Sequence, residues 1–407
     1  MPNDIWRRVL TSAVIVAAGL ALSVAASQLA RAQTFHAIYS FDTGTVGGFP
    51  YAGVTLDAHG NIYGTNHNFG IGYGSVYKLT NYNGVWIASV IYDFAGGTDG
   101  EFPASRVVFG PDGSLYGTTS EGGVGCDSNG CGTVFKLSPP PTSCRSSSCP
   151  WRETVLYRFT GSADGAVPEY GDLIFDNSGA IYGTTSGNNS SFGSVFKLSK
   201  SGGVWTETTL YTFQGGEDGY FPMGGVVMDQ AGNLYGTMDT GVFEVSPTQN
   251  GWVETVLHVF QYRTDGLSSE AGMIFDNQGN LYSDTFTLGP DGGGTMFEMT
   301  PAGGGNWNFQ VLYPFDGGNG TTGTSLIFDA AGNLYGVRGA NANDYGEAFK
   351  MSLVAGAWTY TALHEFSGGD QGSSPYEGMV MDANGNLWGT ASGGGDYNRG
   401  LVYEITP

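Results

Sequence analysis

Short apolar runs alternate with turn residues along nearly the whole chain, and four kinds recur in a fixed order. Run A is typified by Gly-Val-Val-Met-Asp (225–229), run B by Asn-Leu-Tyr-Gly-Thr (233–237), run C by Val-Phe-Glu-Val (242–245) and run D by Trp-Val-Glu-Thr-Val-Leu-His-Val-Phe (252–260). Each is too short for a typical helix and rich in β-branched and aromatic residues, which predicts strands. An Asp-x-x-Gly-Asn-Leu-Tyr-Gly-Thr phrase joins A to B. Its first glycine falls at Gly60, Gly113, Gly179, Gly232, Gly279, Gly332 and Gly385, spaced 47 to 66 residues apart. Such self-similarity marks a unit that buries its apolar faces only by stacking on its neighbours.

In run D, Trp86, Trp151, Trp205, Trp252, Trp307 and Trp358 each precede a Tyr or His by six residues and a Phe by eight. Even offsets place all three on one face of a strand, whereas a helix would scatter them. Four antiparallel strands in each of seven units predict an all-β, seven-bladed β-propeller. The first unit opens on a run D (35–41) and the last ends on a run C (401–405). The leading strand is therefore expected to complete the final blade and close the ring, which hides the sheet edges. The phrase between A and B reads as a tight turn, with Asp accepting backbone N–H groups and Gly at positive φ. Gly110 stands where the second unit should have its Asp.

Composition adds destination. The 407 residues include 69 Gly, which suits many tight turns. Arg7 and Arg8 precede an apolar stretch from about residue 10 to 26, and Ala30-Arg31-Ala32 offers a cleavage site. Residues 1–32 thus read as a cleaved signal peptide and 33–407 as one propeller domain. The product is expected to be secreted or periplasmic, monomeric, and without a membrane span. Net charge is −22, a balance that repels nucleic acid and anionic lipid. No cofactor is expected; calcium is the one that Asp-rich turns raise.

These phrases resemble the GloVer tandem repeat of exported bacterial proteins that carry a choice of anchor. The likeness rests on Gly-Gly-Glu-Asp-Gly-Tyr-Phe-Pro (215–222), Asp-Gln-Ala-Gly-Asn-Leu-Tyr-Gly-Thr (229–237) and Gly-Thr-Val-Phe-Lys-Leu (132–137), and extends over 35–405. It implies an exported repeat protein with no settled biochemical activity, and no anchor segment follows the last strand here. Runs A and B also resemble NHL-type blades, which mostly bind partners.

Alternating strand direction puts the B–C and D–A loops at one end of the ring. Variable loops on a rigid scaffold are where binding resides. Four D–A loops carry an aspartate, Asp99, Asp164, Asp218 and Asp265, with Val46, Gly320 and Gln371 in the other three. Near the channel mouth such carboxylates would hold a cation or act on a sugar, and Phe102, Tyr220 and Phe221 would stack on a sugar ring. The alternative is that each Asp caps its own turn. The five histidines show no metal-ligand spacing, and no Gly-x-Ser-x-Gly elbow is present. Cys126, Cys131, Cys144 and Cys149 suggest two disulfides in an exported chain, and the intervening strand favours the local pairs 126–131 and 144–149. The expected function is non-enzymatic binding of a glycan, cell-surface component or protein through the B–C/D–A face. A glycan-active lyase or hydrolase and a structural envelope protein are the alternatives.

Overall fold

The computed structural model describes residues 33–42, 44, 46–67, 72–126, 129–141, 150–169, 171–188, 191–316, 325–340 and 344–406. The proposed signal peptide and Cys144 and Cys149 lie outside them. The described strands form seven four-stranded antiparallel sheets, each in the order A-B-C-D. In blade 1 these are Thr55–Leu56, Ile62–Asn66, Ser75–Tyr82 and Val85–Asp93. The protein is a seven-bladed β-propeller. The leading strand, Thr34–Ser40, is the D strand of blade 7 and pairs with Leu401–Thr406. The Phe41 amide donates to the Gly400 carbonyl at 3.0 Å. One blade is thus sewn from both ends of the ring, as the sequence predicts.

Strand A is innermost. Arg106, just before strand A of blade 2, meets Asp172 of blade 3 and feels the charge of Glu377 of blade 7. Only near the axis do three such blades come together.

Each seam between blades holds its own hydrophobic cluster. Tyr77, Leu79, Trp86, Val402 and Trp388 fill the seam of blades 7 and 1, and Tyr63, Phe94, Phe135, Leu137 and Trp151 fill that of blades 1 and 2. Here the single-face reading of run D is corrected. Trp86 packs into the first seam, but Tyr92 and Phe94 pack into the next. A β-bulge is the reason: Tyr77 pairs with Val90 and Val76 with Tyr92, so one residue is inserted and the side-chain alternation flips. The same register shift recurs in blades 2 to 6.

The Gly-Thr of run B also has a packing cause. Gly183 pairs with Phe196 across strands B and C, and a Cβ on Gly183 would lie 2.7 Å from the Phe196 ring. The ring lies over the glycine, filling the space a side chain would need. Gly183→Ala should therefore cost about 1–3 kcal/mol of stability through overpacking, read as a lower urea midpoint. An unchanged midpoint would show that the ring moves aside freely.

Candidate functional site

The four D–A aspartates lie in the loops that follow strand D, the outer strand of each blade, and bond back to it. Asp99 accepts from the Tyr92 hydroxyl and the Ala95 amide, both at 2.7 Å. Asp164 accepts from Tyr157 at 3.0 Å, the Thr160 amide at 2.8 Å and the Thr160 hydroxyl at 2.7 Å. Asp218 bonds Tyr211 and the Gln214 amide, and Asp265 bonds His258 Nε2 at 2.8 Å and the Gln261 amide at 3.0 Å. Each carboxylate thus pins its own turn to the Tyr or His seven residues earlier on strand D. Burial pushes the Asp164 carboxyl up, but hydrogen bonds from Thr160, Tyr157 and Ser162 outweigh it and hold it below its ordinary value. Strand-D rings also stack across to the next blade, both where the aspartate is present, as His258 on Phe309 at 3.8 Å, and where it is missing. Tyr313 stacks on Tyr360 with centroids 4.7 Å apart, and His364 on Phe35 at 3.8 Å.

Three seams place a second carboxyl nearby. Burial, then the charge of Asp99, pushes Glu153 up to about 7; burial and Asp218 do the same to Glu254, up to about 7. Glu207, beside Asp164, is also raised, chiefly by burial. The A–B turn aspartates are saturated in a different way. Asp329 takes bonds from the Ala331 and Asn333 amides, the Asn333 side chain and the Tyr335 hydroxyl. In blade 2, Asp112 does this work from two residues beyond Gly110, accepting from the Ser114 amide, Tyr116 and Lys136. Among the described residues no group of three or more His, Cys, Asp or Glu is gathered for a metal ion.

Aromatic rings are the prominent feature of the loop end. Tyr73, Phe192 and Tyr345, each just before strand C, are 46%, 46% and 52% exposed. Each lies over the first glycine of a Gly-Gly turn in the D–A loop. A Cβ on Gly96 or Gly215 would come within 2.9 Å of the Tyr73 or Phe192 ring, and one on Gly368 within 3.2 Å of Tyr345. Phe102, Tyr220 and Phe221 are half-buried beside these platforms. Phe102 stacks on His67 at 4.7 Å, while Phe192, Tyr220 and Phe221 form one group with centroid distances of 6.3 and 5.0 Å. Phe102 and Phe221 hold φ of +57° and +53°, and their amides donate to the Tyr73 and Phe192 carbonyls at 2.8 Å. Burial lowers the His67 imidazole to about 4, so it stays neutral. Cys126 and Cys131 are joined in this end of the ring, with Cα atoms 5.4 Å apart.

Sequence reading missed a third group. Four residues before the A–B turn position, most units carry Gly53, Gly225, Gly272, Ser325 or Gly378, but two carry Arg106 and Asp172. One residue earlier the units read Ala52, Ser105, Gly171, Gly224 and Ala271, against Glu377. Arg106 and Asp172 form an ion pair near the axis, each side chain 19% exposed. Glu377 is 2% exposed. Burial and the Asp172 charge raise its carboxyl well above the ordinary value, with Arg106 opposing. These three departures from small residues were the available signal.

A sequence model of the Gloeobacter/Verrucomicrobia repeat matches residues 23–242 and 239–407. The chain belongs to the Gloeobacter/Verrucomicrobia repeat family. No curated protein matches it. Among solved structures, the extracellular domain of a hybrid two component system from B. thetaiotaomicron is 11% identical with a TM-score of 0.55, covering 92% of this chain and 41% of its own. PorZ, a bacterial surface component of the type-IX secretion system of Porphyromonas gingivalis, is 13% identical with a TM-score of 0.51, covering 90% and 47%. This chain of the repeat family spans less than half of either. At these identities the likeness shows the propeller fold. Those relatives in fold are extracellular or surface proteins, and no helix among the described residues is long and apolar enough to cross a membrane.

The raised carboxyls set a pH dependence. Glu153 and Glu254 hold their protons more tightly folded than unfolded, where a Glu titrates near about 4.3. Their contribution is full below that value and is lost as pH rises to about 7. The melting temperature should fall between pH 5 and 7.5, and Glu153→Gln with Glu254→Gln should flatten the slope. A double variant with the wild-type slope would show that these groups do not carry it.

Proposed function

We propose that this protein is an exported, non-catalytic binding propeller, secreted or periplasmic, whose B–C/D–A end engages a neutral glycan chain. The observation that carries the reading is the set of half-exposed rings, Tyr73, Phe192 and Tyr345, each laid flat against a glycine turn. Exposed aromatic groups of this kind on a loop surface mark binding. They stand in the loops of blades 1, 3 and 6, so they do not merge into the continuous apolar patch that a protein partner would favour. Separate platforms suit a chain of rings that stack one at a time. The net charge of −22 favours neutral over anionic glycans. Export is supported by the family and by the extracellular relatives in fold.

The catalytic alternative has one observation in its favour, and it lies at the axis. There Glu377, with its raised carboxyl, neighbours the Arg106–Asp172 pair. The D–A aspartates are occupied with their own turns.

The test is binding of the full chain to cell-envelope polysaccharide and neutral oligosaccharides by calorimetry. Changing Tyr73, Phe192 and Tyr345 together to Ala should weaken loop-end binding at least about tenfold, since each stacked ring contributes about 0.5–1.5 kcal/mol. Affinity unchanged in the triple variant sinks the reading. Glycan cleavage that disappears in Glu377→Gln would replace it with the catalytic one.

A further inference from the structure

The opposite end of the ring carries a feature that the loop-end reading does not use. Between the A–B turns of blades 5 and 6 lies a cleft of about 580 Å³, lined by Asn277, Gln278, Tyr282, Phe328, Leu353 and Trp358 among others. A second, of about 520 Å³, occupies the same repeat positions between blades 3 and 4, with Asn177, Tyr182, Met228, Gln230, Pro247 and Trp252. Both volumes fall in the range of about 300–1,000 Å³ typical of small-ligand sites.

We propose that these inter-blade clefts are sugar-binding sites, each taking one ring of a neutral glycan against the strand-D indole. The lining is aromatic on one side and amide on the other. Trp358 meets Tyr282 at an inclined angle of 70°, centroids 6.1 Å apart, and still lines the cleft. Trp252 stands in the equivalent place. Such rings offer a flat apolar surface to the C–H face of a pyranose.

The polar side of each cleft is supplied by side chains not spent on the fold. Asn277, Gln278, Asn177 and Gln230 are exposed. The Gln278 backbone serves its turn, its amide donating to Asp276 at 2.8 Å, but among the described residues the four side-chain amides make no hydrogen bond. An amide offers one acceptor and two donors, which matches a hydroxyl that both gives and receives.

The charged groups in the clefts, by contrast, are already used. Asp276 accepts from Gln278, Asn280 and Tyr282, and Asp176 from Ser178, Ala180 and Tyr182, with Lys197 at 3.7 Å. Among the described residues no Lys or Arg lines either cleft to face an anionic glycan, and saturated carboxylates leave little for a metal. The chemistry left over is hydroxyl recognition on an aromatic floor. This inference stands apart from the loop-end reading, because its residues are at the other end of the ring.

The test titrates the full chain with cellohexaose and xylohexaose, and with oligogalacturonate as an anionic control, by calorimetry and tryptophan emission. Both neutral oligosaccharides, or one of them, should bind and perturb the emission. The exposed substitutions Asn277→Ala, Gln278→Ala, Asn177→Ala and Gln230→Ala, made together, should weaken binding at least about fivefold at unchanged melting temperature, as loss of two or more hydrogen bonds implies. Trp252→Phe with Trp358→Phe should weaken it and remove most of the emission change. The Tyr73, Phe192 and Tyr345 triple variant should leave that emission change intact. The proposal is overturned if neither neutral oligosaccharide binds, if only the anionic one does, or if the four-amide variant binds as the wild type. Neutral binding lost in the triple variant and kept in the cleft variants overturns it too, while supporting the loop-end function.

Discussion

Every blade depends on two neighbours, and the bulged D strand lets one strand serve both. Before the bulge Trp86 packs back toward blade 7; after it Tyr92 and Phe94 pack forward toward blade 2. A regular strand would send all three to one seam and starve the other. Because the same shift recurs in blades 2 to 6, six seams receive a Trp from one side and a Phe from the other, and the seam of blades 6 and 7 takes Phe35 where the others have the Trp. Ring closure follows from the same need. Phe35 stacks on His364 and packs near Phe366 and Tyr403, so the leading strand fills the last seam as well as the last sheet edge.

The sequence showed what is repeated and hid what is geometric. Strand order, blade number and the pairing of the chain ends were legible because a phrase that recurs seven times cannot be a local accident. The bulge was invisible, since run D keeps its even spacing through it. The Tyr–Asp bond across seven residues was present as a constant offset, from Tyr92 to Asp99 and from Tyr157 to Asp164. In the sequence it looks like two motifs, because a strand and its following loop appear independent until the loop folds back. Asp112 escaped for the converse reason: the function moved two residues along while the consensus position became Gly110. The loop-end platforms were half seen. Tyr220 and Phe221 stand out within one recurring phrase, but Phe192, which joins them, belongs to a different loop.

Repetition also sorts structural polar groups from the rest. Six turn aspartates, Asp57, Asp176, Asp229, Asp276, Asp329 and Asp382, each accept from the backbone amides two and four residues on, and that sameness identifies them as parts of the scaffold. Arg106, Asp172 and Glu377 do not recur. They occupy places where other units keep small residues, and burying them carries a desolvation penalty that an ion pair only partly offsets. A fold that is complete in the remaining blades without such groups has no packing reason to keep them in three. The axis is therefore a buried region whose chemistry the architecture does not explain.

The two ends of the ring differ in kind. At the loop end, aromatic platforms sit on segments that vary in length and sequence from blade to blade, so any site there is particular to a few blades. At the turn end, the clefts are made from the repeat itself: a tryptophan of strand D, a tyrosine of strand B, and turn residues whose side-chain amides face outward. A weak interaction offered more than once on a rigid ring gains by effective concentration when one long chain can reach several sites. A rigid propeller with distinct sites at one end and repeated ones at the other would hold two polymers, or two stretches of one, at opposite faces. That arrangement needs no catalysis, and it gives a physical use to a fold in which most of the sequence is committed to making the two ends differ.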